Sequence, residues 1–270
     1  MTDGTQNPEY RELEARIEDY IKKTERGELQ ISSFLTPMQI FFAKEILRRR
    51  ACLSRAVFCG GYGECERARL VLLPTFAEDI EGDNEYKLKT YFPDEYKSVC
   101  IALKVQGSGY KTLSHRDYLG SILGLGLERD PIGDIVVLDD FSAVVFCTES
   151  ISKFLIEELK SVGSDKVGVC VFMPNDDFCG GRKFQRINHT VSSERFDCVV
   201  AALCNLSRDK AQSAIRGGLC TLDYMPVEEC AAQVFEESVI SIRGYGKYII
   251  RDISQSTKKG RIRLVADKYV

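Results

Sequence analysis

Tryptophan is absent from the 270 residues, and histidine occurs only at His115 and His189. Two histidines without a nucleophile elbow argue against a histidine-based hydrolase. No apolar run approaches the ~20 residues needed to cross a bilayer. The opening stretch, MTDGTQNPEYRELEARIEDY, lacks the basic start and apolar middle of a secretion signal, so a cytoplasmic chain without membrane contact is expected. Eleven cysteines are present, yet none is spaced C-x-x-C. Their odd number and scatter speak against a disulfide framework or a zinc ribbon and for buried thiols in a reducing compartment. No cofactor or metal site is expected.

What is present is a folded chain with 44% hydrophobic residues, enough for two or three domains, and a hidden charge asymmetry. From Arg182 to Val270 there are 15 Lys+Arg against 10 Asp+Glu, a balance of +5, which leaves 22 against 30, or −8, for the remainder. Between Arg243 and Arg263, seven cations (Arg243, Lys247, Arg251, Lys258, Lys259, Arg261 and Arg263) face the single acid Asp252. Such density is an electrostatic footprint for a polyanion, with a solvated charged face as its alternative.

Pattern divides the chain into three α+β regions: 1–83, 84–178 and 182–270. In the first, a helix is expected from Pro8 to about Lys23. A second, capped by Thr36 with Pro37 in its first turn, buries Ile40, Ala43, Ile46 and Leu47. GGYGECERARLVLLP (60–74) reads as a glycine turn feeding a strand, and no lysine-bearing P-loop pattern follows it. In the second region, strands at Val99–Val105, Ile135–Leu138, Ala143–Cys147 and Val167–Phe172 alternate with helices at Ser114–Leu123 and Ile151–Leu159. That is the βαββαβ order of a ferredoxin-like domain, a putative RNA-binding module although the aromatic stacking motif of RNA-recognition modules is missing from FSAVVFCT.

The third region carries two short helices and a small sheet. Ser193 is expected to cap the first helix, with Phe196, Val199, Val200 and Leu203 on its buried face. Ser207 caps the second; Ala211, Ala214 and Ile215 face inward, Arg208, Gln212 and Arg216 form an adjacent stripe, and Gly217 or Gly218 supplies a left-handed stop. Alternation from Cys220 and in VISIR, KYIIRDI and RIRLVA predicts strands. Arginine forks bind phosphate bidentately and a hydroxyl-capped helix start offers free N–H groups to the same oxygens, so Ser207, Arg208, Lys210 and Arg216 suit an RNA backbone. Arg243, Lys247, Lys258, Lys259, Arg261 and Arg263 extend that surface, and Arg195 joins it or pairs with Asp197.

Arg195-Phe196-Asp197, Ser207-Arg208 with Lys210-Ala211, and Ile215, Gly218, Cys220 and Leu222 resemble the S-four (alpha-L) RNA-binding fold. Departures fall at Phe196, where leucine is usual, at Asp223, where asparagine is usual, and at Glu237-Ser238, where Gly-Asp is expected. FLTP (34–37), GGYGECER (60–67), HRDYLGSILGLGLERDPIGDI (115–135), ISIRGYGKY and TKKGR (257–261) together resemble the YlmH family of bacterial S-four proteins. The resemblance implies a cytosolic RNA-binding protein associated with the large ribosomal subunit, recognising ribosomal RNA and tRNA when translation stalls; a monomer is expected.

Other readings are weaker. A kinase loop needs asparagine five residues beyond Asp117, where Ile122 stands. A pseudouridine synthase needs His-Arg-Leu-Asp, but Asp117 directly follows Arg116. For His115-Arg116-Asp117, a Ser114-x-x-Asp117 helix start is the better account. A DNA-binding helix-turn-helix and a protein-interaction adaptor with incidental RNA affinity are the remaining alternatives.

Overall fold

The computed structural model describes residues 8–63, 65–175, 177–180, 184–255 and 261–269. Among them lie eight α-helices and three antiparallel sheets, a mixed α+β architecture. The chain divides into two compact units, Asn7–Gly181 and a second that carries Arg182–Val270.

The first unit opens with α1 (Pro8–Thr24), β1 (Gln30–Leu35), α2 (Pro37–Arg49), β2 (Ala56–Cys59) and β3 (Ala68–Leu72), the strands ordered β1-β3-β2. A full capping box starts α2: Thr36 Oγ1 accepts from Gln39 N at 3.2 Å and Gln39 Oε1 accepts from Thr36 N at 2.9 Å. Phe42, not Ile40, completes its buried face with Ala43, Ile46 and Leu47, its ring edge-on to Tyr10 at 5.1 Å. Two short helices follow, α3 (Asn84–Tyr91) and α4 (Pro93–Val99). Their Leu88 and Val99 are buried with Val71, Leu73 and Ala77. Residues 84–99, grouped by sequence with the central region, thus complete the core of the first sheet; helices of eight and seven residues are too short to display a buried stripe.

The second sheet is built from β4 (Ile101–Gly107), β5 (Ile132–Asp139), β6 (Ser142–Cys147), β7 (Ser161–Val162) and β8 (Asp165–Phe172), in the order β5-β6-β4-β8-β7. Helices α5 (His115–Leu123) and α6 (Glu149–Glu158) bury Tyr118, Ile122 and Leu155 against Leu103, Val105 and Val145 on one face. On the other, Tyr62 stacks on Phe146 at 4.9 Å and Phe178 meets Phe146 edge-on at 5.9 Å.

Three stretches distant in sequence meet beside that stack. Asp134 accepts from Tyr62 Oη at 2.7 Å, Glu66 N at 2.6 Å and Arg67 N at 3.1 Å. The Arg67 guanidinium donates to Ile132 O at 3.0 Å and Phe34 O at 2.9 Å. A Cβ on Gly61, whose φ is +92°, would lie 2.5 Å from the Phe146 ring. The glycine-rich turn therefore serves close packing rather than a phosphate.

The second unit contains β9 (Phe184–Val191), α7 (Phe196–Cys204), α8 (Arg208–Arg216), β10 (Cys220–Leu222), β11 (Met225–Pro226), β12 (Val239–Ile242), β13 (Gly246–Gln255) and β14 (Ile262–Tyr269). Its sheet runs β11-β10-β12-β13-β14-β9. Phe196, Val199, Val200, Ala211 and Ile215 of the helices share one core with Ile240, Tyr248, Ile250 and Leu264 of the strands. Strand β9, which the sequence reading passed over, pairs with β14 from Val191↔Ile262 to Phe184↔Tyr269. Arg195, not Ser193, is the N-cap of α7. Phe196 N and Asp197 N donate to Ala232 O at 2.8 Å and Cys230 O at 3.1 Å, so the helix start needs no hydroxyl, and Ser193 Oγ turns to Cys198 Sγ at 3.4 Å.

Candidate nucleic-acid interface

Asp197, in the first turn of α7, is fully buried, and its carboxylate gathers the neighbouring donors. Arg195 Nε and Nη2 approach Oδ1 and Oδ2 at 3.1 Å each, while Arg208 Nε at 3.0 Å and Gln212 Nε2 at 2.8 Å donate to Oδ2. Burial alone would raise this carboxyl's pKa; the hydrogen bonds from Arg195, Gln212 and Arg208 outweigh it and hold it far below the usual range. The two arginine side chains remain 40% and 53% exposed. Two cations are thus fixed in direction by one buried carboxylate on side chains that are still partly exposed, a preorganised arrangement suited to a phosphate.

Helix α8 extends this surface. Ser207 Oγ accepts from Lys210 N at 3.4 Å, and Lys210 and Arg216 are exposed in the first and last turns. Gly218, with φ +68°, makes the left-handed stop. Arg243 N then donates to Leu219 O at 2.9 Å, bringing the exposed β12–β13 turn beside the end of α8.

The other sheet candidates lie elsewhere. Tyr248, Ile250, Leu264 and Ala266 point toward the helices, so strand alternation puts Lys247, Arg263 and Asp267 on the opposite face. There Lys247 Nζ sits 4.7 Å from the Tyr269 ring centre and 5.3 Å from that of Tyr224. Arg263 Nε lies 3.8 Å from Asp252, and Arg261 is exposed at the start of β14. Lys258 and Lys259 lie outside the described residues. Sequence reasoning missed Arg186 on this face: it and Arg251 both bond the buried Asp267, at 2.9 Å through each Nε. The alternation of Ile187, His189 and Val191 was the available signal. Among the described residues, the sequence candidates therefore do not form one patch. Arg195, Ser207, Arg208, Lys210 and Arg216 stand on or at the start of the two helices and the Arg243 backbone meets the end of α8, whereas Lys247 and Arg263 lie on the opposite face of the sheet.

In the first unit, His115 and Arg116 are exposed at the start of α5. Asp117 Oδ2 accepts from Ser114 N at 2.8 Å and Ser114 Oγ at 2.6 Å, bonds that lower its pKa. Asp117 is thus engaged at the helix start. Among the described residues, no helix is long and apolar enough to cross a membrane, and no cluster of three or more His, Cys, Asp or Glu is placed to hold a metal ion.

Residues 94–173 match the family model described as "Putative RNA-binding domain in YlmH". The chain is 28% identical over 212 residues to "Ribosome-associated protein quality control protein P2" of Bacillus subtilis, covering 78% of this chain and 77% of that protein. A solved structure, "Cell division protein ylmH from Streptococcus pneumoniae", aligns at 19% identity and a TM-score of 0.48 over 62% of this chain and 92% of its own. The match over residues 94–173 and the Bacillus relative both support the YlmH family as the one this chain resembles.

Proposed function

We propose that this is a non-catalytic, cytoplasmic RNA-binding protein that associates with the ribosome. It grips ribosomal RNA or tRNA of the large subunit as a monomer, in the quality control of stalled translation. Residues 182–270 act as the S-four-type module. The 84–178 region, whose sheet order suits a ferredoxin-like domain, is a second RNA-binding domain. The observation that carries the reading is the pair of partly exposed arginines, Arg195 at the start of α7 and Arg208 at the Ser207-capped start of α8, both held by the buried Asp197. The printed name of the Bacillus relative and of the matched domain support the partner class.

Arg208→Ala, and separately Lys258→Ala with Lys259→Ala, should weaken binding to ribosomal RNA. Each lost phosphate contact should also make the log–log salt slope shallower by up to ~0.7 to 0.9. Titrations across a salt series, with thermal unfolding as the control for folding, check this. Unaltered affinity and slope in folded variants reject the assignment.

A further inference from the structure

The three-residue turn between β12 and β13, Arg243–Tyr245, presents an aromatic ring where a polar turn would be expected. Its backbone is fully determined. Tyr245 N donates to Ile242 O at 3.0 Å, the buried Tyr248 hydroxyl donates to Tyr245 O at 3.1 Å, and Gly244 and Gly246 take φ of +86° and +120°. Tyr245 nevertheless remains 40% exposed, and Leu219, whose carbonyl accepts from Arg243 N in the same turn, is 39% exposed. Two cations stand close in the chain, Arg243 in that turn and Arg216 at the end of α8, the segments being joined by this backbone bond. No Asp or Glu occurs from Lys210 to Leu222 or from Ser238 to Arg251.

A half-exposed ring on a hydrogen-bonded turn, with cations and no acids in the adjoining segments, suits a single-stranded polyanion with flat bases: the charges take phosphate and the ring takes a π-face. A protein partner matched to the same cations would have to be acidic and would leave the ring's stacking geometry unused. The geometry points to Tyr245 as the stacking platform for an unpaired RNA base, with Arg243 and Arg216 on the adjoining phosphates. This rests on the RNA-binding reading above and adds to it a site that discriminates unpaired from fully paired RNA.

Because the chain lacks tryptophan, Tyr245→Trp makes a single-tryptophan reporter at this position. Its fluorescence is titrated with ribosomal RNA extracted from large subunits, with a perfectly paired RNA duplex at equal phosphate concentration, and with intact large subunits. Affinities of the unaltered chain and of Tyr245→Ala and Tyr245→Phe are measured alongside. Quenching by extracted RNA but not by duplex is expected. Tyr245→Ala should lose about 5- to 100-fold in affinity at unchanged salt slope, while Tyr245→Phe stays within about twofold. Full RNA affinity in Tyr245→Ala, or equal quenching by duplex, overturns the site while leaving RNA binding intact. Quenching by intact subunits alone assigns the ring to a protein surface and overturns it too. Failure of the unaltered chain to bind ribosomal RNA removes both this site and the reading beneath it.

Discussion

Asp223 stands where the S-four resemblance leads one to expect asparagine, and it carries a measurable cost. Asp223, with φ +49°, accepts from Val239 N at 2.9 Å through Oδ1 and from Ser238 Oγ at 3.2 Å through Oδ2. Burial raises its pKa, and those two hydrogen bonds only partly oppose it. A raised carboxyl contributes stability below its unfolded pKa, near ~3.9, and loses that contribution as pH climbs through the folded value. Asp223→Asn keeps the acceptor, tolerates the left-handed backbone and removes the charge. It should therefore stabilise at pH 7, on the order of 1 kcal/mol, with the gain vanishing below about pH 4. Urea midpoints at pH 7 and pH 3.5 test this; a loss at neutral pH would show that the carboxylate is needed. Asp197 behaves oppositely, since its lowered pKa makes its contribution persist through neutral and mildly acidic pH.

At the scale of elements, the long signals were legible and the short ones were not. Thr36-Pro37, Ser114-x-x-Asp117 and Ser207 announced three helix starts because a cap is a local hydrogen-bonding device. Helices α3 and α4 and strand β9 escaped: the first two are too brief to show a period, and β9 gains its place from pairing along β14. The site was legible in composition but not in grouping. Charge density marked Lys247 and Arg263, yet only strand register reveals that they turn away from Arg208. Turn geometry gives a further test. Glu237 takes φ +63°, a left-handed conformation costing a side-chain residue roughly 1 kcal/mol, and its bond to Arg251 is largely exposed. Glu237→Gly should stabilise by about 0.5 to 1 kcal/mol, seen as a higher denaturation midpoint at unchanged m value. A drop would mean that the Arg251 contact outweighs the strain.

For the molecule as a whole, each unit has its own core: Phe196, Tyr248 and Leu264 in one, Leu103, Tyr118 and Val145 in the other. Phe196→Ala, which empties a fully buried ring position, should cost about 3 to 5 kcal/mol. Hydrogen exchange should show the lost protection confined to residues 184–269, while amides of β4 and β6 exchange as before. Uniform loss across both would mean that the two cores unfold as one. The charge asymmetry follows the same division, so retention on heparin at low salt is compatible with a net charge of −3.

The opposite-facing cations of the six-stranded sheet carry a geometric corollary. One RNA double helix is a convex rod and can lie against only one side of a sheet at a time. With Arg208 and its neighbours facing one rod, Lys247, Arg186 and Arg263 look away from it, each already engaged by an aromatic ring or a carboxylate.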